Sequence, residues 1–298
     1  MTLPPLRPLG RTAALVALLA LGTVIVGPRA VPPTRSGINA VIANTTDTTK
    51  TRTWFTCNQA ESRTANAYFA YPLTEALPLV TPPADITGNN RTGVYSALGV
   101  SHDGTAGPCV RDNANTGSIL LNGSTGEIGG PAAISAAPTT YSEEIWFKTG
   151  TAGGKLIGFG TSRTGSSAAV DRHIYMGNQG GNIGRLVFAT GTATLKSYLT
   201  SPLAYNDNVW HHVVATQSSA GMRLYVDGQL VASNAVATNY NFPTTSGQGY
   251  WRIGYDNLTG WSGVPTNWRF TGNLAFAAAY TRALSATEVT EHYLAGRP

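Results

Sequence analysis

Residues 210–232 read WHHVVATQSSAGMRLYVDGQLVA, and this stretch decides the fold class. Met222, Leu224 and Val226 alternate with Arg223 and Tyr225, the period-two pattern of a strand with one face in a core and the other toward solvent or a neighbouring sheet. Asp227-Gly228 follows at once. That pair tolerates positive φ at both central positions of a two-residue type I′ turn, and Gln229 to Ala232 runs back as the second strand of a β-hairpin. On either side, short apolar runs are punctuated roughly every 8–12 residues by Gly, Asn, Asp or Ser, the spacing of an all-β sandwich.

One helix is specified, at the end of the chain. Ser285 and Glu288 form an S-x-x-E capping box, Leu284 and Val289 occupy the two positions of a hydrophobic staple, and Gly296 supplies the stop. The spacing predicts a helix over about 286–295. With only 12% charged residues, 34 Gly and 17 Pro in 298 residues, coiled coils and long helical bundles are excluded. The 42% hydrophobic content suffices for one sizeable core.

The net charge of +5 does not point to nucleic acid. Four cations, Arg7, Arg11, Arg29 and Arg35, precede the first acid, Asp47; without them 16 basic groups face 15 acidic ones, and no Lys/Arg stripe remains to neutralise phosphates. Residues 1–30 read as a signal peptide or an uncleaved N-terminal membrane anchor, because Arg7 and Arg11 precede the apolar run TAALVALLALGTVIVG at 12–27. As a helix that run spans roughly 24 Å, short of a hydrocarbon core of about 30 Å, which favours cleavage. The rest of the chain is then secreted or held at the cell envelope, and a membrane is met only through the N-terminal segment if it stays uncleaved.

Residues 31–50, Pro-rich and then Thr/Asn-rich, form a tether, and the folded domain is expected over 51–298. It opens with TRTWFTC at 51–57, a short strand by its β-branched and aromatic content. Cys57 and Cys109 are the only cysteines, and an even number in an exported chain predicts a disulfide. No C-x-x-C motif suggests redox chemistry or a structural zinc site.

Six segments then occur in order: Tyr71-Pro-Leu-Thr-Glu75, Leu121-Asn-Gly-Ser-Thr-Gly126, Glu144-Ile-Trp-Phe-Lys-Thr149, Trp210-His-His-Val-Val-Ala-Thr216, Leu224-Tyr-Val-Asp-Gly-Gln-Leu230 and Tyr280-Thr-Arg-Ala-Leu-Ser285. Together they resemble the laminin-G-like jelly roll of the concanavalin A-like lectin/glucanase superfamily, over roughly 68–296. The resemblance implies an all-β antiparallel jelly-roll sandwich with a short C-terminal helix. It does not imply activity, since that superfamily holds glycan binders and hydrolases alike. The leader with residues 51–57 is similar to exported surface proteins of actinobacterial type.

The glucanases of the superfamily carry catalytic carboxylates on one strand as E-x-D-x-x-E, and this pattern is absent. Glu143 and Glu144 are neighbours, so strand alternation sends them to opposite faces. Ser101-His102-Asp103 lacks a G-x-S-x-G elbow, and His102, His173, His211, His212 and His292 are too scattered for a three-ligand zinc site. The chain is expected not to be an enzyme.

The richest local feature is 239–273, where Tyr240, Phe242, Tyr250, Trp251, Tyr255, Trp261, Trp268 and Phe270 crowd among Gly and Pro. Flat rings beside amides equip a surface for sugars. Trp251, Tyr255 and Phe270 lie in strand-like runs and read as core; Trp261 and Trp268, in GWSGVPTNW, are expected to be exposed platforms. Asn257, Asn267, Arg252 and Asp256 stand ready for sugar hydroxyls. The resemblance also makes calcium a candidate cofactor, with Asp85 and Asp256 in Gly/Asn-rich loops as ligands, although Ala275 and Phe276 stand where many relatives carry an acidic pair. The N-x-[ST] sequons at Asn44, Asn90, Asn122 and Asn257 become glycan acceptors only in a eukaryotic host.

The sequence thus reads as an extracellular, non-catalytic binding module whose partner is a glycan or surface glycoprotein. The alternative is a structural or protein-contact component of a surface fibre or envelope layer.

Overall fold

A computed structural model describes residues 54–297 except 77–80, 106, 113–116, 193, 236–241, 243 and 245. The apolar run at 12–27, the tether, residues 51–53, Asn44 and Tyr240 therefore lie outside the described residues. Among those described, no helix is long and apolar enough to cross a membrane.

Two antiparallel sheets form a sandwich. The first contains β1 (Ala67–Tyr71), β3 (Val100–Asp103), β4 (Ser118–Asn122), β7 (Tyr141–Lys148), β12 (Trp210–Ser218), β13 (Gly221–Val226), β14 (Gln229–Asn234) and β16 (Thr271–Tyr280). The second contains β2 (Val94–Tyr95), β5 (Ile128–Gly129), β6 (Ser135–Ala136), β8 (Lys155–Gly160), β9 (Val170–Met176), β10 (Arg185–Gly191), β11 (Lys196–Ala204) and β15 (Gln248–Ile253). Helices α1 (Cys57–Arg63) and α2 (Ala286–Gly296) flank them. The first sheet runs β14-β13-β12-β7-β16-β4-β3, with β1 sharing one edge of β16 with β4; the second runs β11-β10-β9-β8-β15-β5-β2, with β6 on β15. The hairpin at 210–232 stands as expected: Val226 pairs with Gln229, and Asp227 and Gly228 have φ of 51° and 76°.

The facing sides of the sheets bury Phe69, Ile145, Phe147, Phe159, Ile174, Phe188, Val213, Leu224 and Trp251 in one core. Part of each outer face is covered as well. Leu284 and Val289 cover Val214, Tyr225 and Tyr280 of the first sheet. Leu258 and Trp261 cover Val170, Tyr175, Val187 and Ala189 of the second. Strands β7, β8, β9 and β12 are consequently buried on both faces, although buried polar residues such as Glu143, Glu144, Asp171, Arg172, His173 and His212 interrupt their apolar runs.

The strand expected at 51–57 is corrected: Trp54 to Thr56 join no strand, and Cys57 opens α1. Helix capping outweighs local β propensity here. Thr56 Oγ1 accepts from the Gln59 amide at 3.2 Å, and the Asp112 carboxylate accepts from the amides of Cys57 (2.8 Å) and Asn58 (2.7 Å). Cys57 and Cys109 form the expected disulfide, with Cα atoms 5.9 Å apart.

The C-terminal capping box is complete, with Ser285 Oγ accepting from the Glu288 amide at 3.2 Å and the Glu288 carboxylate accepting from the Ser285 amide at 2.8 Å. Ser285→Ala should cost about 1 kcal/mol in chemical denaturation. The two-pronged hydrogen bond from Arg282 holds the Glu288 carboxyl at about 2. Because this folded value lies below the unfolded one near 4.3, the contribution is complete above about pH 4.3 and is lost as pH falls toward 2. The stability advantage of the native chain over Glu288→Gln should therefore shrink across that window in thermal melts; a constant difference would refute the assignment.

Candidate functional site

On the outer face of the second sheet, two loops converge, 161–169 after β8 and 254–270 after β15. Glycine makes the room for them. A Cβ at Gly160 would lie 2.2 Å from Asp256 Oδ2 and 2.4 Å from Ser167 Oγ, so only a residue without a side chain lets both loops settle there.

A fully buried ionic network fastens these loops to the sheet. Asp256 Oδ1 accepts from the amides of Ser167 (2.9 Å) and Asn257 (2.8 Å), Oδ2 accepts from Ser167 Oγ (2.9 Å), and Lys155 Nζ and Arg252 Nη1 each stand 3.6 Å from Oδ2. Arg252 also donates to Glu127 Oε2 at 2.9 Å and to the carbonyls of Ser162 and Gly165 at 2.7 Å. Burial pulls the Lys155 ammonium down to about 8, with Asp256 opposing the pull. It therefore remains charged at neutral pH.

Between the loops and the β10–β11 turn lies a cleft of about 240 Å³, lined by Val170, Thr192, Lys196, Asn257, Thr259 and Trp261 together with Ala168 and Ala169. Trp261 forms its inner wall, with the His173 ring packed edge to face against it at 4.3 Å between centroids and the Lys196 ammonium 4.6 Å from the indole ring centroid. Lys196 Nζ donates to the Gly260 carbonyl at 2.6 Å. Asn257 closes a short turn, accepting from the Thr259 amide (2.8 Å) and donating to the Ser167 carbonyl (3.3 Å).

Of the residues expected to touch a ligand, Trp261 and Asn257 reach this cleft. Arg252 and Asp256 have no exposure, and their charges are spent on the network beneath it, so they are positioning residues. Trp261 is 6% exposed and glues its loop to the sheet, which corrects its reading as an open platform. Trp268 is half-buried in the same cluster, and its carbonyl accepts from the Lys155 amide. Asn267 donates to the Gly123 carbonyl. Trp251 and Phe270 are core, as read, whereas Tyr255 lies under the Arg269 guanidinium at 3.6 Å. Nothing in the sequence singled out Thr192 and Thr259, which sit in unremarkable Thr-containing loops, or Lys196, which opens β11; they become neighbours only through the sheet.

The carboxylates considered for calcium do not fit that ion in this arrangement. Asp85 accepts from the amides of Ala70, Thr87 and Arg91 and from Thr87 Oγ1, and Asp256 is occupied as described, so donor hydrogens already point at the oxygens a cation needs. Glu143 and Glu144 face opposite ways. Glu143 is in the core, where burial pushes its pKa well up, while Glu144 on the other face accepts from Tyr280, His212 (3.2 Å) and His292 (3.0 Å) beside α2.

Two other hollows lie elsewhere. One of about 280 Å³ is lined by Trp146, Trp210 and Tyr293, with Val110 and Val209 exposed at its rim. The other, of about 660 Å³, is wide and polar; its one aromatic, Tyr68, has its ring under the Arg91 guanidinium at 4.0 Å.

No curated protein matches the sequence. Among solved structures, the chain is similar to a sialidase from Trypanosoma rangeli in complex with sialic acid, at 14% identity and a TM-score of 0.51, over 78% of this chain and 33% of that one. It is also similar to domain 4 of an extracellular arabinanase from Geobacillus stearothermophilus in complex with arabinotriose, at 18% identity and a TM-score of 0.49, over 76% and 98%. A third likeness is to the receptor binding domain of botulinum neurotoxin type G, at 14% identity and a TM-score of 0.49, over 77% and 51%. At such identities the likeness is one of fold. The laminin-G-type sequence model of the concanavalin A-like lectin/glucanases superfamily matches residues 120–290, more than half of the chain, and the chain belongs to that superfamily.

Proposed function

We propose that this domain is a non-catalytic carbohydrate-binding module, acting outside the cytoplasm, that takes a short saccharide in the cleft beside Trp261. The lining of the cleft carries the reading. It combines an indole wall, threonine hydroxyls, an amide and an ammonium on a rigid floor, and it contains no carboxylate. Glycoside hydrolysis ordinarily requires a pair of carboxylates across the bond to be broken, so this lining favours the lectin side of the superfamily. At about 240 Å³ the cleft is smaller than the roughly 300–1,000 Å³ of sites for drug-sized ligands, which suits one end of a glycan better than a long internal stretch.

A glycan array probed with the full chain, with calcium and with EDTA in parallel, tests this. Binding is expected in both arms, without release of reducing ends. Thr259→Val and Asn257→Ala should each weaken it about 3- to 10-fold, the value of one hydrogen bond. Turnover of any bound glycan, or binding indifferent to both substitutions, would overturn the reading.

A second reading, a protein-contact component of a surface fibre, draws on the hollow lined by Trp146, Trp210 and Tyr293 with its apolar rim. Concentration-dependent multimers that Trp210→Ala disperses, together with an empty array, would favour it.

A further inference from the structure

Lys196 is not an ordinary surface lysine. It is the first residue of the edge strand β11 and is only half-exposed, and its ammonium is held in place by the Gly260 carbonyl at 2.6 Å and the Trp261 ring at 4.6 Å. Among the described residues it takes part in no ion pair, and no carboxylate lines the cleft it faces.

The charges beneath it do not supply the missing anion. Lys155 and Arg252 are matched by Asp256 and Glu127, and Asp171 is engaged by Arg172, so the floor is close to neutral and Lys196 adds one uncompensated positive charge at the mouth. His173, which meets Trp261 edge to face, is buried with both ring nitrogens unbonded; burial, reinforced by Lys155 and Lys196, pushes its pKa well down. It stays neutral and adds no charge of its own. The Trp261 ring meanwhile keeps water off one side of the ammonium, which strengthens its attraction for an anion relative to a fully solvated lysine.

We infer that the cleft selects an acidic saccharide, whose anionic oxygen meets Lys196 while its hydroxyls meet Thr192, Thr259 and Asn257. This rests on the carbohydrate-binding reading and narrows it. A lysine acts as a point charge without the fork that distinguishes planar anions, so a uronate carboxylate and a sulfate ester share the required chemistry.

The test uses the full chain and oligosaccharides matched in length and linkage: a neutral galactan, its galacturonate counterpart, and a sulfated galactan. Calorimetric titration is expected to show one or both acidic members binding about tenfold more tightly than the neutral one, with the preference fading as salt rises from low to molar concentration. The stronger acidic arm identifies carboxylate or sulfate as the recognised group. In Lys196→Gln the acidic and neutral members should bind alike, whatever that variant's affinity for the neutral one, and Lys196→Arg should restore the preference. Equal affinity for neutral and acidic members, or a preference unchanged in Lys196→Gln, overturns the inference and leaves carbohydrate binding standing. No binding to any saccharide overturns both.

Discussion

Reduction of the Cys57–Cys109 disulfide, or its replacement by two serines, is expected to lower the unfolding free energy by about 4 kcal/mol. The bond spans 52 residues of sequence, and releasing that loop returns entropy to the unfolded chain on this scale. For a domain of this size the melting temperature should fall by roughly 10 °C. The folded side also loses order, because the loop tied by Cys109 carries two neighbouring caps. Asp112 satisfies the first amides of α1, and Arg111 donates to the carbonyls of Leu294 (3.1 Å) and Ala295 (2.9 Å) at the end of α2. Loosening should therefore begin at α1, the end of α2 and the hollow beside Trp146, and spare the cleft on the opposite sheet. Denaturant titration with and without reductant measures the total, and amide exchange locates it. A loss below about 1 kcal/mol, or early exchange in β8 and β9, would contradict this account.

The sandwich and its hairpin were legible because their signals are local. Asp227-Gly228 needs nothing beyond its own backbone freedom to reverse the chain, and Ser285 finds its partner Glu288 three residues on. Only part of the capping of α1 is local: Thr56 finds Gln59 three residues on within a run of β-branched and aromatic residues, whereas the acid that also caps it, Asp112, lies 55 residues from Cys57. The same distinction separates the parts of the site. A tryptophan between glycines reads as exposed when only its neighbours in sequence are known, yet Trp261 packs on Val170, Val187 and Ala189 from two strands of the second sheet. Arg252 and Asp256 read as free polar groups until Lys155 and Glu127 are brought beside them. The run Leu186-Val187-Phe188-Ala189 of β10 was itself a clue, for a strand that runs apolar without alternation needs cover on both faces. In this domain that cover is the loop carrying Trp261, and the cleft is the gap the cover leaves.

Asp256→Ala should therefore damage stability and binding together, although Asp256 does not line the cleft. Removing the carboxylate leaves Lys155 and Arg252 buried with one counter-charge fewer and orphans the amide and hydroxyl of Ser167, a loss of about 3–5 kcal/mol for a broken buried ion pair. Asp256→Asn, which keeps the shape and one acceptor oxygen, should cost less. The deficit has a definite pH dependence. In the native protein the Lys155 ammonium titrates at about 8, below its unfolded value, and without Asp256 opposing the effect of burial it titrates lower still. Between that lower value and about 8, the unfolded variant holds a proton its folded form has shed, so raising pH stabilises the variant while leaving the native protein unchanged. The deficit should be greater at pH 6 than at pH 8. Saccharide affinity should fall because the 161–169 and 254–270 loops lose their common anchor, and the loss should appear at temperatures where circular dichroism still shows the variant folded. A variant that melts with the native protein, or that binds as tightly while folded, would mean that the ionic floor neither holds the loops nor shapes the cleft.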